Sequence, residues 1–92
     1  MKYRTRKGIV LTSVGGQQIL VSAASLHDEI PYVTNVNDTA AFCWEVMAGG
    51  ATEDELVDRV TEEFDVHDPE LVRSDISGMV RQLYEKGYII TE

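Results

Sequence analysis

Residues 37–56 read NDTAAFCWEVMAGGATEDEL, and this stretch decides the fold because it encodes two helices joined by a short turn. Asn37 or Asp38 fits the N-cap of the first helix, whose apolar residues recur at helical spacing. The two glycines at positions 49 and 50 end that helix. The pattern predicts a helix-turn-helix unit at the centre of the chain.

The second helix and a longer third helix follow directly. Thr52 and Glu55 have the spacing of a capping box, in which each side chain accepts a hydrogen bond from the other residue's backbone amide. The apolar stripe of this helix consists of Leu56, Val57, Val60 and Phe64. Asp68 and Pro69 fit the N-cap and first position of a third helix that ends at residues 86–87. Its apolar positions are Val72, Ile76, Met79, Val80 and Leu83.

The residues before the helices favour β structure. Residues 8–22 contain two β-rich runs around Gly15-Gly16, which predicts a hairpin with a two-residue turn. Residues 23–29 read as a loop, and residues 30–36 as a third strand whose Pro31 suits a sheet edge or the strand's first residues. The order predicts an α+β fold, with a three-stranded antiparallel sheet followed by three helices, compatible with a winged helix-turn-helix. Residues 88–90 either add a short strand or cover the core.

The whole chain of 92 residues suits one domain. It divides into a basic N-terminal tail at 1–7, a sheet at 8–36 and a helical part at 37–90. No apolar run approaches the roughly 20 residues that span a bilayer, and no signal peptide is recognisable, so we expect a cytoplasmic protein with no membrane partner. The single cysteine excludes an internal disulfide and a thiolate metal cage.

The charge distribution argues against nucleic acid as a partner. The net charge is −8, and residues 28–92 carry 4 basic and 16 acidic residues. Such a surface repels phosphate, whereas nucleic-acid binding depends on Lys and Arg neutralising the backbone.

No arrangement of residues indicates catalysis, so we expect no enzyme activity, no cofactor and no metal site. Cys43 and Trp44 are most simply core residues, and His27 and His67 lie apart in the sequence. The acidic residues of the second helix are typical of a solvated face.

The stretch 37–56 and the closing helix together resemble the PqqD-like family. The signature joins Asn-x-Thr-Ala, here residues 37–40, to a nearby Trp44, then a glycine and a Thr-x-x-Glu-Leu at 52–56. Asp75, Leu83 and the Glu-Lys-Gly at 85–87 resemble the family's last helix. The similarity runs from about residue 36 to residue 89, and it is carried by the order and spacing of the motifs.

The resemblance implies a winged-helix-like recognition element for ribosomally made, post-translationally modified peptides, which serves natural product biosynthesis. In that family the leader of the precursor peptide adds as a strand beside the third strand, and the third helix forms the other wall of the groove. The domain does no chemistry and brings the leader to a separate modifying enzyme, often a radical S-adenosylmethionine protein. The strand wall carried over to this chain is Tyr32, Val33, Thr34 and Asn35, and the helix wall is Arg73, Ile76, Ser77 and Val80.

Three of these residues have alternative assignments. Ile76 and Val80 fit the hydrophobic core equally well. Arg73 either pairs with a leader carboxylate or forms a solvated ion pair with Glu70 or Asp75.

Two other functions are compatible with the pattern. One is a winged-helix transcription regulator, although the third helix carries equal numbers of basic and acidic residues where a recognition helix is basic. The other is a protein-interaction subunit that forms a homodimer through the same strand edge.

Overall fold

A computed structural model describes residues 1–23, 33–65 and 67–92 of the chain. Within these residues the strands are β1 (Tyr3–Thr5), β2 (Ile9–Val14), β3 (Gln17–Ser22), β4 (Val33–Val36) and β5 (Ile89–Thr91). The helices are α1 (Asp38–Met47), α2 (Glu53–Phe64) and α3 (Pro69–Glu85). The predicted order of a three-stranded antiparallel sheet followed by three helices is confirmed, and β1 and β5 add a second, two-stranded sheet.

The three-stranded sheet has the order β2-β3-β4. Gly15 and Gly16 form the hairpin turn with φ angles of 58° and 82°, the positive values that a two-residue primed turn requires. On the other side of β3, β4 pairs in antiparallel register from Gln18 opposite Val36 to Val21 opposite Val33. Residues 24–29 of the predicted loop at 23–29, and the predicted start of the third strand at 30–32, lie outside the described residues.

The helix ends follow the capping residues that the sequence predicts. Asn37 caps α1 by accepting a hydrogen bond from the amide of Ala40 at 2.8 Å. The capping box of α2 is complete, with Glu55 N–H donating to Thr52 Oγ1 at 3.1 Å and Thr52 N–H donating to Glu55 Oε1 at 3.2 Å. These hydrogen bonds to Thr52 lower the pKa of the Glu55 carboxyl. Asp68 caps α3, and proline occupies its first turn.

The N-terminal segment, described from the sequence as a basic tail, contains a short strand. Tyr3–Thr5 pair with Ile89–Thr91 in antiparallel register, and Tyr3 exchanges two backbone hydrogen bonds with Ala51, at 2.7 and 2.9 Å. Arg4 also forms an ion pair with Glu92. The partners lie far away in the sequence, so no local pattern marks this strand.

The core lies between the inner face of the sheet and the three helices. Trp44 is only 6% exposed, which confirms its predicted place in the core. Phe64 is 40% exposed instead of buried, and its ring meets the ring of Phe42 edge to face at 5.6 Å. The largest fully buried side chains are those of Tyr88, Leu20, Met47, Leu56, Ile76 and Ile89.

None of the helices in the described part of the chain has the length and apolar character needed to cross a bilayer.

We predict that Trp44→Ala lowers the free energy of unfolding by about 3 to 5 kcal/mol, because it removes a large indole from a packed core. Urea denaturation followed by circular dichroism measures this change. Tyr84→Ala is the matched control, since Tyr84 is 51% exposed on α3, and its cost should stay below about 1 kcal/mol. Similar losses for the two variants would contradict the placement of Trp44.

Candidate functional site

A groove of about 560 Å³ runs between β4 and α3. One wall comes from β4 and the start of α1, and the other wall comes from α3. The strand side is lined by Thr34, Asn35, Val36, Asn37, Thr39 and Ala40. The helix side is lined by Ser74, Asp75, Ile76, Gly78, Met79, Gln82 and Leu83.

The strand wall is the edge of a sheet. Within the described residues, β4 pairs with β3 on one side and with no strand on the other. Alternate backbone amides and carbonyls of Val33–Val36 therefore point away from β3. Such an edge is a template for pairing with another extended chain.

The side chains of β4 alternate between the core and the outer face. The hydroxyl groups of Thr34 and Tyr88 are hydrogen-bonded at 2.8 Å, and Tyr88 is fully buried. Val36 also packs against the core. Val33, which is 65% exposed, and the exposed Asn35 occupy the alternate positions. The edge strand is thus held to the core by its inward-facing residues.

The helix wall consists of two rows of residues spaced by four positions, which lie above one another along a helix. One row is Ser74, Gly78 and Gln82, and the other is Asp75, Met79 and Leu83. Met79 and Leu83 supply apolar surface near the groove floor, while the first row is polar or lacks a side chain. Asp75 is the one charged residue among the described groove-lining residues.

The groove includes three of the residues that the family resemblance implied. Thr34 and Asn35 line the strand side, and Ile76 lies at the floor. Ile76 is 1% exposed and belongs to the core, which was the alternative assignment. Val33 lies on β4 but does not line the groove. Tyr32 lies outside the described residues.

The other three residues of the expected helix wall do not line this groove. Ser77 and Val80 line a separate cavity with Tyr3 and Tyr84, and Val80 is also buried in the core. The Arg73 guanidinium donates a hydrogen bond at 2.6 Å to a carboxylate oxygen of Asp54 on α2. Its partner is therefore neither of the two acidic residues of α3 considered from the sequence.

The α3 residues that border the groove differ from those expected for a geometric reason. The apolar stripe at positions 72, 76, 80 and 83 determines which side of α3 is buried. It leaves two flanks, one with Arg73 and Ser77 and the other with Asp75 and Gln82. Both flanks carry exposed polar residues, so their charges do not indicate which of them borders β4, although Met79 extends the apolar stripe toward the second flank. The groove residues without any signal in the sequence were Ser74, Gly78 and Gln82.

Two further features concern metal ions and the single thiol. In the described part of the chain, no three His, Cys, Asp or Glu side chains come together in a way that would hold a metal ion. Burial raises the pKa of the Cys43 thiol to about 11, so this thiol is protonated at neutral pH.

We predict that Thr34→Val lowers the free energy of unfolding by about 1 kcal/mol, because it removes the hydroxyl that bonds to Tyr88 and keeps a similar shape. Tyr88→Phe removes the same bond from the other side. The double variant should be less destabilised than the sum of the two single variants, since the shared bond is lost only once. Urea denaturation of all three variants tests this coupling, and strictly additive losses would contradict it.

Comparisons with known proteins bear on this site. Residues 23–89 match the family model described as Coenzyme PQQ synthesis protein D (PqqD). No curated protein matches the sequence. The fold is similar to that of TbiB1, solved in complex with the TbiA(beta) leader peptide, at 17% identity and a TM-score of 0.71 over 94% of this chain and 93% of that chain. It is also similar to lasso peptide synthetase B1, complexed with the leader peptide, at 22% identity and a TM-score of 0.72 over 96% of each chain. At these identities the two structures show a shared fold.

Proposed function

The chain belongs to the PqqD family, and from this membership we propose that it binds the leader segment of a ribosomally synthesised precursor peptide and presents it to a separate modifying enzyme. The observation that carries the proposal is the groove between β4 and α3, which has an open strand edge as one wall. The two similar structures were solved with leader peptides bound, which supports the same class of ligand here.

In this proposal the leader adds as a strand beside β4. Two of the four residues of Val33–Val36 direct their amide and carbonyl groups toward the added strand. Each backbone hydrogen bond contributes about 0.5 to 1.5 kcal/mol net, regardless of the side chain. Specificity then comes from the leader's side chains, which alternate between the groove and the outer face.

The outer face offers a second apolar contact. Val10, Val21 and Val33 are directly opposite one another across β2, β3 and β4, and Val33 ends this row at the open edge. An outward-facing leader residue opposite Val33 would extend this row as a cross-strand pair, with about 5 Å between the two Cβ atoms. An apolar or β-branched residue is therefore favoured at that leader position.

The charges favour a neutral or basic leader over an acidic one. Asp75 lines the groove, and the chain as a whole has a net charge of −8. The only basic residue assigned to the groove from the sequence, Arg73, is engaged with Asp54 on another face of α3. Pairing of Arg73 with a leader carboxylate therefore plays no part in the proposal.

The role of the domain is to position a substrate, with the chemistry carried out by the partner enzyme. Holding the leader on the domain raises the concentration of the attached core peptide at a partner's active site, without any catalytic residue here. A radical S-adenosylmethionine enzyme is the class of partner that family membership favours.

A homodimer formed through the same edge is the second candidate. Within the described residues β4 has no strand on its outer side, and its first residue, Val33, is an exposed apolar residue that a second copy could cover. Self-pairing would bring two chains of net charge −8 together, which disfavours it relative to a basic or neutral peptide.

We predict that leader binding slows hydrogen exchange at alternate amides of Val33–Val36, because only the amides that point away from β3 gain a partner. The experiment is an amide NMR titration of the labelled domain with a synthetic leader from the precursor gene adjacent to its own. Chemical-shift changes should also appear at Ser74, Gly78 and Gln82 on the helix wall.

A scrambled peptide of the same composition is the control for nonspecific binding. Unchanged shifts and unchanged exchange at high concentrations of the true leader would reject leader recognition by this domain. Slow exchange at the same amides in the peptide-free domain, lost on dilution, would instead identify a second copy of the chain as the occupant of the edge.

A further inference from the structure

Gly78 interrupts the row of side chains on the helix wall of the groove. It lies near the middle of α3, between Ser74 and Gln82 in the same row. These two neighbours are eight residues apart, which corresponds to about 12 Å along a helix axis. The missing side chain therefore leaves a notch in the wall, open toward the groove.

Nothing in the described domain requires glycine at this position. A Cβ atom built on Gly78 meets no described atom within 4 Å, apart from its own chain neighbours and helix backbone. Its backbone has the ordinary helical conformation and no positive φ angle, unlike the glycines of the turns. Glycine is nevertheless among the least favourable residues in a helix interior. Alanine would fit the domain and stabilise the helix.

We propose that Gly78 is a specificity-determining residue, whose notch accepts one bulky apolar side chain of the bound leader strand. The inference rests on the proposed function and adds the class of side chain that the groove selects. Met79, the next residue of α3, supplies apolar surface beside the notch, and the buried Ile76 and Leu83 line the groove deeper toward the core. An aliphatic or aromatic side chain that reaches past the exposed Asp75 is therefore favoured there. Ser74 and Gln82 border it at either end.

The spacing of a strand limits this selection to one leader position. Inward-facing side chains of an extended chain are about 6.6 Å apart, which is roughly half the distance between Ser74 and Gln82 along the helix. The side chain above Gly78 therefore enters the notch, while its inward-facing neighbours meet the parts of the wall that have side chains. The size of residue 78 should therefore affect the binding of the leader side chain at only one position.

The test compares Gly78→Ala with Ser77→Ala, a matched substitution at the adjacent position, whose side chain lines a different cavity. Both variants gain helix propensity, so the melting temperature should rise by a few degrees or stay unchanged. Fluorescence anisotropy with the labelled synthetic leader should show binding weakened about tenfold by Gly78→Ala and unaffected by Ser77→Ala.

A second series uses leader peptides in which each apolar residue is replaced by alanine in turn. With the wild-type domain, one replacement should weaken binding about tenfold, and with Gly78→Ala the same replacement should have little further effect. A folded Gly78→Ala variant that binds the leader as tightly as the wild type would overturn the inference, as would strictly additive effects throughout the series. Absence of binding by the wild type would instead reject the proposed function itself.

Discussion

A hydrogen bond between the hydroxyl of the buried Tyr88 and the hydroxyl of Thr34 holds β4, the strand wall of the groove, against the hydrophobic core. Tyr88 lies three residues after the end of α3, and Thr34 lies within β4, so the bond connects the chain that leaves the helix wall to the strand wall. A polar group in a core is costly unless it is paired, which favours one position of β4 relative to α3. The width of the groove depends on that position.

The second sheet extends the same constraint to the N-terminus. β5 begins immediately after Tyr88 and pairs with β1, and β1 is also bonded to Ala51 in the connection between α1 and α2. The end of α3 is therefore attached to the other two helices through backbone hydrogen bonds as well as through the core. These attachments hold the end of α3, and with it one wall of the groove, in place, and pre-organised interfaces of this kind change little on binding.

The parts of this architecture that could be predicted from the sequence are those with local signals. The Gly15-Gly16 turn, the Thr52 and Glu55 capping box and the Asp68 cap each act within a few residues, and each occurs where the sequence predicts it. The pairing of β1 with β5 had no such signal, because its partners are more than eighty residues apart. The residues of α3 that border the groove could not be chosen from the sequence, because the two polar flanks of α3 look equivalent until β4 is placed beside one of them. Local chemistry thus predicted the elements, whereas the side of α3 that faces the groove depends on tertiary packing.

An edge strand that is open within the described residues also carries a risk of self-association, and the composition of the chain counters it. β4 contains only four described residues, so two such edges would gain few hydrogen bonds by pairing with each other. Each copy also carries a net charge of −8, and the repulsion between two copies opposes their approach. At ordinary salt this repulsion acts over about 10 Å before it is largely screened. A neutral or basic peptide meets neither obstacle, because it brings no like charge and reaches into the groove beyond the edge itself. The acidity that argues against nucleic acid therefore also discriminates between a leader peptide and a second copy of the chain, at one and the same strand edge.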